Sequence, residues 1–343
     1  MFEPKYTISD RLLHNIKKIT EIVSDLNNRR FSEVVLVEFA KKARGVSAFA
    51  STSIEGNPLP LTEVKKILKN KPENVRDSEQ EVLNYNRALI ELDNLIKSKK
   101  IELNLSLILK IQQIVINDLI EKHRQGRIRE ESVFVNDPKK NKAIYWPPDH
   151  KDVALLLREL IEYIDHNRHK IDPLILAGIF HKQFVIIHPF IDGNGRTTRL
   201  LTKILLADLG LNTFNLFSFE NYYNKNVTKY FQEVGVLGNY YDIKDNIDFT
   251  TWLEYFTEGI IDELFRVKKE LDKEIISPKT ELKDYHKQII DFITKHGFIT
   301  DKEYAKLTKR AKPTRNLDFR KLIDLDQIEK LGKGKATYYK FKS

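Results

Sequence analysis

The chain has 343 residues, enough for two or three domains, and its 41% of hydrophobic residues can fill packed cores. No apolar run approaches the ~18 residues that span a bilayer, so the composition speaks against a membrane protein. The start, Met1-Phe2-Glu3-Pro4-Lys5, does not read as a secretory signal, and the absence of cysteine excludes disulfide scaffolds, Cys-ligated zinc and thiol catalysis and fits a cytoplasmic setting.

In chain order the sequence reads as helix after helix. Residues 9–28, 32–54, 62–69 and 76–97 have helical spacing, and Leu105 to Leu119 forms a further apolar stripe. The stretch from Glu131 to Pro148 reads as a short β-hairpin, with Val133-Phe134-Val135 and Ile144-Tyr145-Trp146 on either side of a turn. Helices resume at Lys151. Asp172-Pro173 opens the next one, which should stop near His188 because Pro189 disfavours helical backbone before it. A loop, Phe190 to Asn194, precedes a helix from about Gly195 to Leu209 that ends at Gly210. Residues 219–237 and 249–273 are predicted as two more helices, and Ser277-Pro278 marks a boundary.

Charge divides the chain at that boundary. Residues 279–343 hold 17 Lys and Arg against 9 Asp and Glu, a net of +8, whereas the whole chain carries +9. This segment predicts a helix over Asp284–His296, a second begun by Thr300 or Asp301, a third opened by Pro313 with Leu317, Leu322 and Leu325 apolar, and a two-stranded hairpin tipped by Gly332-Lys333-Gly334-Lys335. A basic module on a near-neutral body points to a polyanion such as DNA as its partner, or else to a lysine-rich solvated surface. Its order of elements resembles a winged helix–turn–helix. Thr314, Arg315, Arg320 and Lys321 are the candidate DNA contacts of the reading helix, and a protein-docking role stays open.

The chemistry concentrates in His188-Pro189-Phe190-Ile191-Asp192-Gly193-Asn194-Gly195-Arg196-Thr197-Thr198-Arg199. Gly193, Asn194 and Gly195 tolerate the left-handed backbone that turns successive N–H groups toward one point, and the helix start that follows adds free donors. Arg196 and Arg199 oppose the helix dipole there, which a strongly anionic ligand such as a di- or triphosphate would offset. Asp192 is a hard carboxylate suited to Mg²⁺, and His188 titrates in the range of a general base. An ordinary glycine-rich turn explains Gly-Asn-Gly alone, but not this full set at these spacings.

The twelve residues match the signature of the Fic family, H-P-F-x-D-G-N-G-R-x-x-R, at every specified position, and the chain is similar to that family over roughly residues 1–275. Ser51-Thr52-Ser53-Ile54-Glu55-Gly56 resembles the family's inhibitory motif, S/T-x-x-x-E-G/N; the hairpin lies where the family places its flap; and Tyr230-Phe231, Trp252 and Tyr255-Phe256 resemble its later aromatic positions. The resemblance implies a mainly α fold: a helical region with the inhibitory motif (1–100), a catalytic core with a β-hairpin flap (101–275), and the appended module (279–343). It implies an adenylyltransferase that moves AMP from ATP, with Mg²⁺, to a Ser, Thr or Tyr hydroxyl of a target protein or of the chain itself. His188 would be the base, Asp192 the Mg²⁺ ligand, and Gly193, Asn194 and Gly195 the phosphate cradle. Arg196 would meet the β-phosphate and Arg199 the γ-phosphate. Thr197 and Thr198 are free positions of the signature, and Thr198 is either a nucleotide contact or helix filler. Val133, Phe134, Val135 and Asn136 would cover the nucleotide and align the target, or form a plain packing hairpin. Tyr230 and Phe231 would wall the adenine pocket, or pack the core.

Glu55 can be read without the family. A glutamate at a helix C-terminus sits at the wrong end of the dipole and calls for a cationic partner. The resemblance supplies Arg199, so that Ser51, Glu55 and Gly56 form an inhibitory element over the γ-phosphate site. AMP removal through the same pocket, and a DNA-binding regulator with a helical sensor body, are the alternatives. A homodimer is compatible with the sequence.

Overall fold

The computed structural model describes residues 2–29, 31, 33–97, 102–137, 142–207, 217–272 and 282–342. The predicted stop at Gly210, the boundary at Ser277-Pro278 and the tip of the 131–148 hairpin lie outside these residues. Among the described residues, α-helices α1 (Asp10–Asn28), α2 (Glu33–Ile54), α3 (Leu61–Lys69), α4 (Asp77–Lys97) and α5 (Leu105–Val115) come first. The strands β1 (Val135–Asp137) and β2 (Lys142–Trp146) follow, then α6 (His150–Asn167), α7 (Pro173–Ile187) and α8 (Asn194–Ala207). After them come α9 (Phe219–Lys225), α10 (Val227–Val234), β3 (Gly238–Asn239), α11 (Tyr240–Ile243) and α12 (Thr250–Leu271). None of these helices is long and apolar enough to cross a membrane.

Helix α7 is the central rod. Asp172 caps it by accepting from Leu174 N at 2.8 Å, and Pro173 starts it with its φ already helical. Every residue from Leu174 to Phe184 is buried, including the polar His181, Lys182 and Gln183, so the helix is enclosed on all sides. Gly178 lets α12 approach: a Cβ there would lie 2.5 Å from Leu253 Cδ2, and Trp252 Nε1 donates to the Gly178 carbonyl at 2.8 Å. Helix α1 lays Leu12, Ile19, Ile22 and Leu26 against α12, while α2 and α4 pack beside α8.

Three predictions are corrected. The helix foreseen over 219–237 breaks at Asn226, whose side chain accepts from Lys229 N at 3.0 Å and caps a new helix. The stripe from Leu105 to Leu119 stops being helical at Val115, and Asp118 takes a left-handed φ of 60°. The hairpin is one part of a three-stranded sheet. β1 and β2 pair antiparallel with a bulge at Val135/Asn136, and β3, from far downstream, pairs parallel with β2 through Tyr145↔Gly238. Two-residue strands leave no periodic signal.

The C-terminal module comprises α13 (Asp284–His296), α14 (Asp301–Leu307), α15 (Lys312–Asp324) and the antiparallel strands β4 (Ile328–Leu331) and β5 (Tyr338–Phe341). Ile299 adds a bridge to Tyr339. Its core of Leu282, Ile289, Ile293, Tyr304, Phe319, Leu322 and Ile328 also takes in Val34 of α2. Leu317, expected on the apolar face of the third helix, is exposed, and Asp318 is buried instead, accepting from Arg310 Nε at 2.8 Å and Tyr304 Oη at 2.9 Å.

Candidate functional site

The site forms where α7 ends and α8 begins. His188 caps α7 in the left-handed region, φ 50° and ψ 60°, a conformation that costs a non-glycine residue roughly 1 kcal/mol and more. The loop is closed by Asn194. Its Oδ1 accepts from Phe190 N at 2.9 Å and its Nδ2 donates to Phe190 O at 2.8 Å. The Asn194 side chain therefore shapes the cradle and is occupied there. Gly193 has a φ of 81°, and a Cβ on it would lie 2.7 Å from Ile116 Cγ2, so only glycine fits.

The two arginines point to different partners. Arg199 is 0% exposed. Its Nε donates to Ser51 Oγ at 2.8 Å, and its Nη2 to Ser51 O at 3.0 Å and to Glu55 Oε1 at 2.6 Å. Burial pulls this guanidinium down, but the Glu55 carboxylate, together with the Tyr230 and Tyr85 hydroxyls, holds it above its ordinary value. Glu55 is seated over the start of α8, where a Cβ on Gly195 would collide with its Oε1. Arg196, buried as well, donates to Glu81 Oε1 at 2.9 Å and to both oxygens of Asp192 at 3.0 and 3.1 Å. Glu81 Oε2 takes Asn57 Nδ2 at 2.7 Å, which ties the turn after Glu55 to the same carboxylate.

Asp192 keeps a side chain 45% exposed beside the cradle and accepts from Gly193 N at 2.6 Å. Burial pushes the His188 imidazole down to about 4, with the Arg129 cation acting in the same direction, so it is neutral at pH 7 and its free lone pair can take a proton. Thr197 and Thr198 are buried in α8, and Thr198 Oγ1 bonds back to Asn194 O at 2.7 Å. Tyr230 is packed inside the aromatic core, its Oη 3.0 Å from His181 Nε2 and 3.4 Å from Arg199 Nη1, while its neighbour Phe231 is exposed. In the flap, Val133 and Val135 are half-buried, and Phe134 and Asn136 are exposed.

Sequence reasoning missed the residues that hold these groups in place. Glu220 is a fully buried carboxylate met by Lys203, Tyr85, Ser218 and Ser47 at 2.9–3.2 Å; it joins α2, α4 and α8 beneath Arg199. Arg129, in an aperiodic stretch, donates to the carbonyl of His188. Neither carries a local pattern that could have marked it.

Residues 102–206 match the profile described as the Fic/DOC family. Curated relatives include a protein adenylyltransferase Fic of Drosophila erecta, 28% identical over 224 residues that cover 58% of this chain and 42% of that protein. Another, of Nematostella vectensis, is 31% identical over 181 residues, 50% of this chain and 39% of that protein. The chain thus spans about two fifths of the length of these relatives. Among solved structures, a Fic family protein from Desulfovibrio desulfuricans G20 aligns with a TM-score of 0.64 at 20% identity, covering 100% of this chain and 99% of that one. A Fic domain containing signaling protein from Bacteroides thetaiotaomicron aligns at 0.64 and 19%, covering 77% and 98%. The helical core, the strand flap beside it and the signature loop between α7 and α8 agree with these likenesses: over residues 102–206 the chain is similar to the Fic/DOC family, and its fold is that of the solved Fic structures.

Proposed function

We propose that this chain is a protein adenylyltransferase that transfers AMP from ATP to a Ser, Thr or Tyr hydroxyl of a target protein or of itself, and that Glu55 restrains it. The curated relatives named protein adenylyltransferase Fic support the reaction class. The observation that carries the restraint is the 2.6 Å bond from the buried Arg199 to Glu55, directly over the cradle.

The chemistry follows from the positions of the groups. His188, neutral and at the mouth of the loop, takes the proton of the target hydroxyl. The oxygen attacks the α-phosphorus, the bond from that phosphorus to the bridging oxygen breaks, and diphosphate leaves with the electron pair. Little covalent help is required in phosphoryl transfer, so positioning and charge do most of the work. The backbone amides at Gly193–Gly195 and the cations Arg196 and Arg199 would meet the phosphates. Asp192 fits a Mg²⁺ site of the kind that needs one carboxylate and draws its other ligands from phosphate and water. Bound there, Mg²⁺ would neutralise phosphate charge. Glu55 occupies the Arg199 donors that a γ-phosphate would use, so ATP could not seat productively until the pair opens.

The winged-helix reading of residues 279–343 is supported by three helices, a hairpin and the Ile299–Tyr339 bridge in that order. As a reader of bases Arg315 is corrected: both its Nε and Nη2 are held by Asp301, at 2.8 and 2.9 Å, and its Nη1 by Arg310 O. Arg320 is exposed and remains a candidate contact for DNA. The module rests on α2, through Gln327 to Glu38 at 3.1 Å and Lys41 over the Phe341 ring at 4.8 Å.

Incubation with ATP labelled at the α-phosphate, with the chain alone and with a lysate, tests the reading. Label on protein supports it; label that stays on nucleotide for both the parent chain and Glu55→Gly overturns it.

A further inference from the structure

Arg129 is buried to 3% exposure, and every hydrogen bond it makes in this region ends on a backbone carbonyl. Its own N–H donates to Pro189 O at 3.0 Å and its Nε to His188 O at 2.8 Å. Its Nη1 donates to Glu131 O at 3.0 Å and its Nη2 to Pro148 O at 2.5 Å. Glu131 lies just before β1 and Pro148 just after β2. One residue therefore binds both ends of the flap, through its guanidinium, to the turn from α7 into the signature loop: its side chain holds His188 O and its backbone N–H holds Pro189 O.

We propose that Arg129 is a positioning residue that sets the flap in register with His188. This rests on the transferase reading above. The left-handed backbone at His188 is strained and needs surrounding contacts to persist. The bonds to His188 O and Pro189 O supply two of them, on the side facing the flap. Tyr145 supplies a second tie, its Oη donating to Ile186 O at 2.8 Å two residues before the base. A target segment paired on the free edge of β1 is then placed relative to the imidazole through a short rigid path: β1, Glu131 O, the guanidinium, His188 O. Only arginine has a planar fork of five donors that reaches three carbonyls in three directions; lysine offers a point charge.

The test takes Glu55→Gly as the parent, so that inhibition does not mask the effect, and adds Arg129→Lys or Arg129→Gln. Three quantities are read: the rate of AMP incorporation into the chain from α-labelled ATP, the dissociation constant for ATP, and backbone amide exchange over 131–137, 142–146 and 186–190. A displacement of about 1 Å between base and hydroxyl costs about 100-fold in rate. We expect a loss of that order, unchanged ATP affinity, since no phosphate contact is touched, and faster exchange in all three segments, with Lys failing to rescue. If the Gln variant does not fold, the Lys variant carries the test. Unchanged exchange at the flap, or a rate loss matched by an equal loss of ATP affinity, overturns the proposal. A parent that incorporates no AMP while exchange still rises would remove the transferase reading and leave the tie between flap and turn standing.

Discussion

Glu55 Oε1 lies 2.6 Å from Arg199 Nη2, although 144 residues separate the two in sequence. Arg199 has no solvent exposure, and Glu55 retains 29%. The arginine is therefore the fixed partner, and the glutamate is the one that can leave.

Glu55→Gly should raise incorporation of AMP into the chain and into targets. It frees for phosphate the Arg199 Nη2 hydrogen that Glu55 accepts, and leaves Ser51 holding Nε and the other Nη2 hydrogen. Unchanged or lower incorporation from labelled ATP would dismiss the inhibitory role and favour a part for Glu55 in AMP removal.

Arg199→Ala in the Glu55→Gly chain should weaken ATP binding by more than it weakens ADP binding. A charge-assisted hydrogen bond to phosphate is worth about 1.5–3 kcal/mol, or roughly 10- to 100-fold in affinity. Calorimetric titration with both nucleotides decides it: equal losses would place Arg199 away from the γ-phosphate.

Gly195→Ala tests the close approach of Glu55 to α8. The new Cβ collides with the carboxylate end of a flexible side chain, so the cheapest response is for Glu55 to swing off Arg199. Overpacking of this kind costs about 1–3 kcal/mol. Most of that cost should vanish when Gly195→Ala is made in the Glu55→Gly chain, and a double-mutant cycle of unfolding free energies measures the difference. Additive effects would show that Glu55 is not what Gly195 accommodates.

His188 gives a pH signature. Its folded pKa, about 4, lies below the ordinary value of 6.5, so between those limits the unfolded chain binds the extra proton. Stability therefore falls as pH drops through this window, and is free of the effect above it. His188→Ala should flatten that part of the stability curve relative to the parent, and should abolish transfer while ATP still binds. Parallel curves for parent and variant would mean that the imidazole is not buried in its neutral form.

In the C-terminal module, Arg315→Ala should lower the thermal midpoint slightly through loss of the bidentate pair with Asp301. Arg320→Ala should leave stability alone. If the module binds duplex DNA, its affinity should fall with salt at a log–log slope of about −0.9 per neutralised phosphate, and Arg320→Ala should weaken it. No binding at ~50 mM salt would leave a protein-docking role.

Local chemistry explains how much was legible beforehand. Pro189 ends α7, Asp172-Pro173 starts it, and Thr300 caps α14 by accepting from Glu303 N, because each acts on backbone within a turn of itself. The cradle was legible for the same reason: Gly193, Asn194, Gly195 and the arginines that follow are consecutive, and their backbone preferences alone bring them together. The pairing of Glu55 with Arg199 could be anticipated only as a glutamate in need of some cation, with the family likeness naming which.

Tertiary packing decided the rest. The aperiodic Arg129 became a brace because the fold brings four carbonyls around it. Glu81 became the anchor of Arg196 because α4 lies beside α8. Tyr230 packed inward and Phe231 outward, since a helix must bury one face and only its neighbours determine which. Arg315 went to Asp301 rather than to solvent once α14 and α15 were packed together. Burial removes a charged or polar group from water, and whichever partners the fold supplies then set its position and its protonation; no run of adjacent residues contains that information.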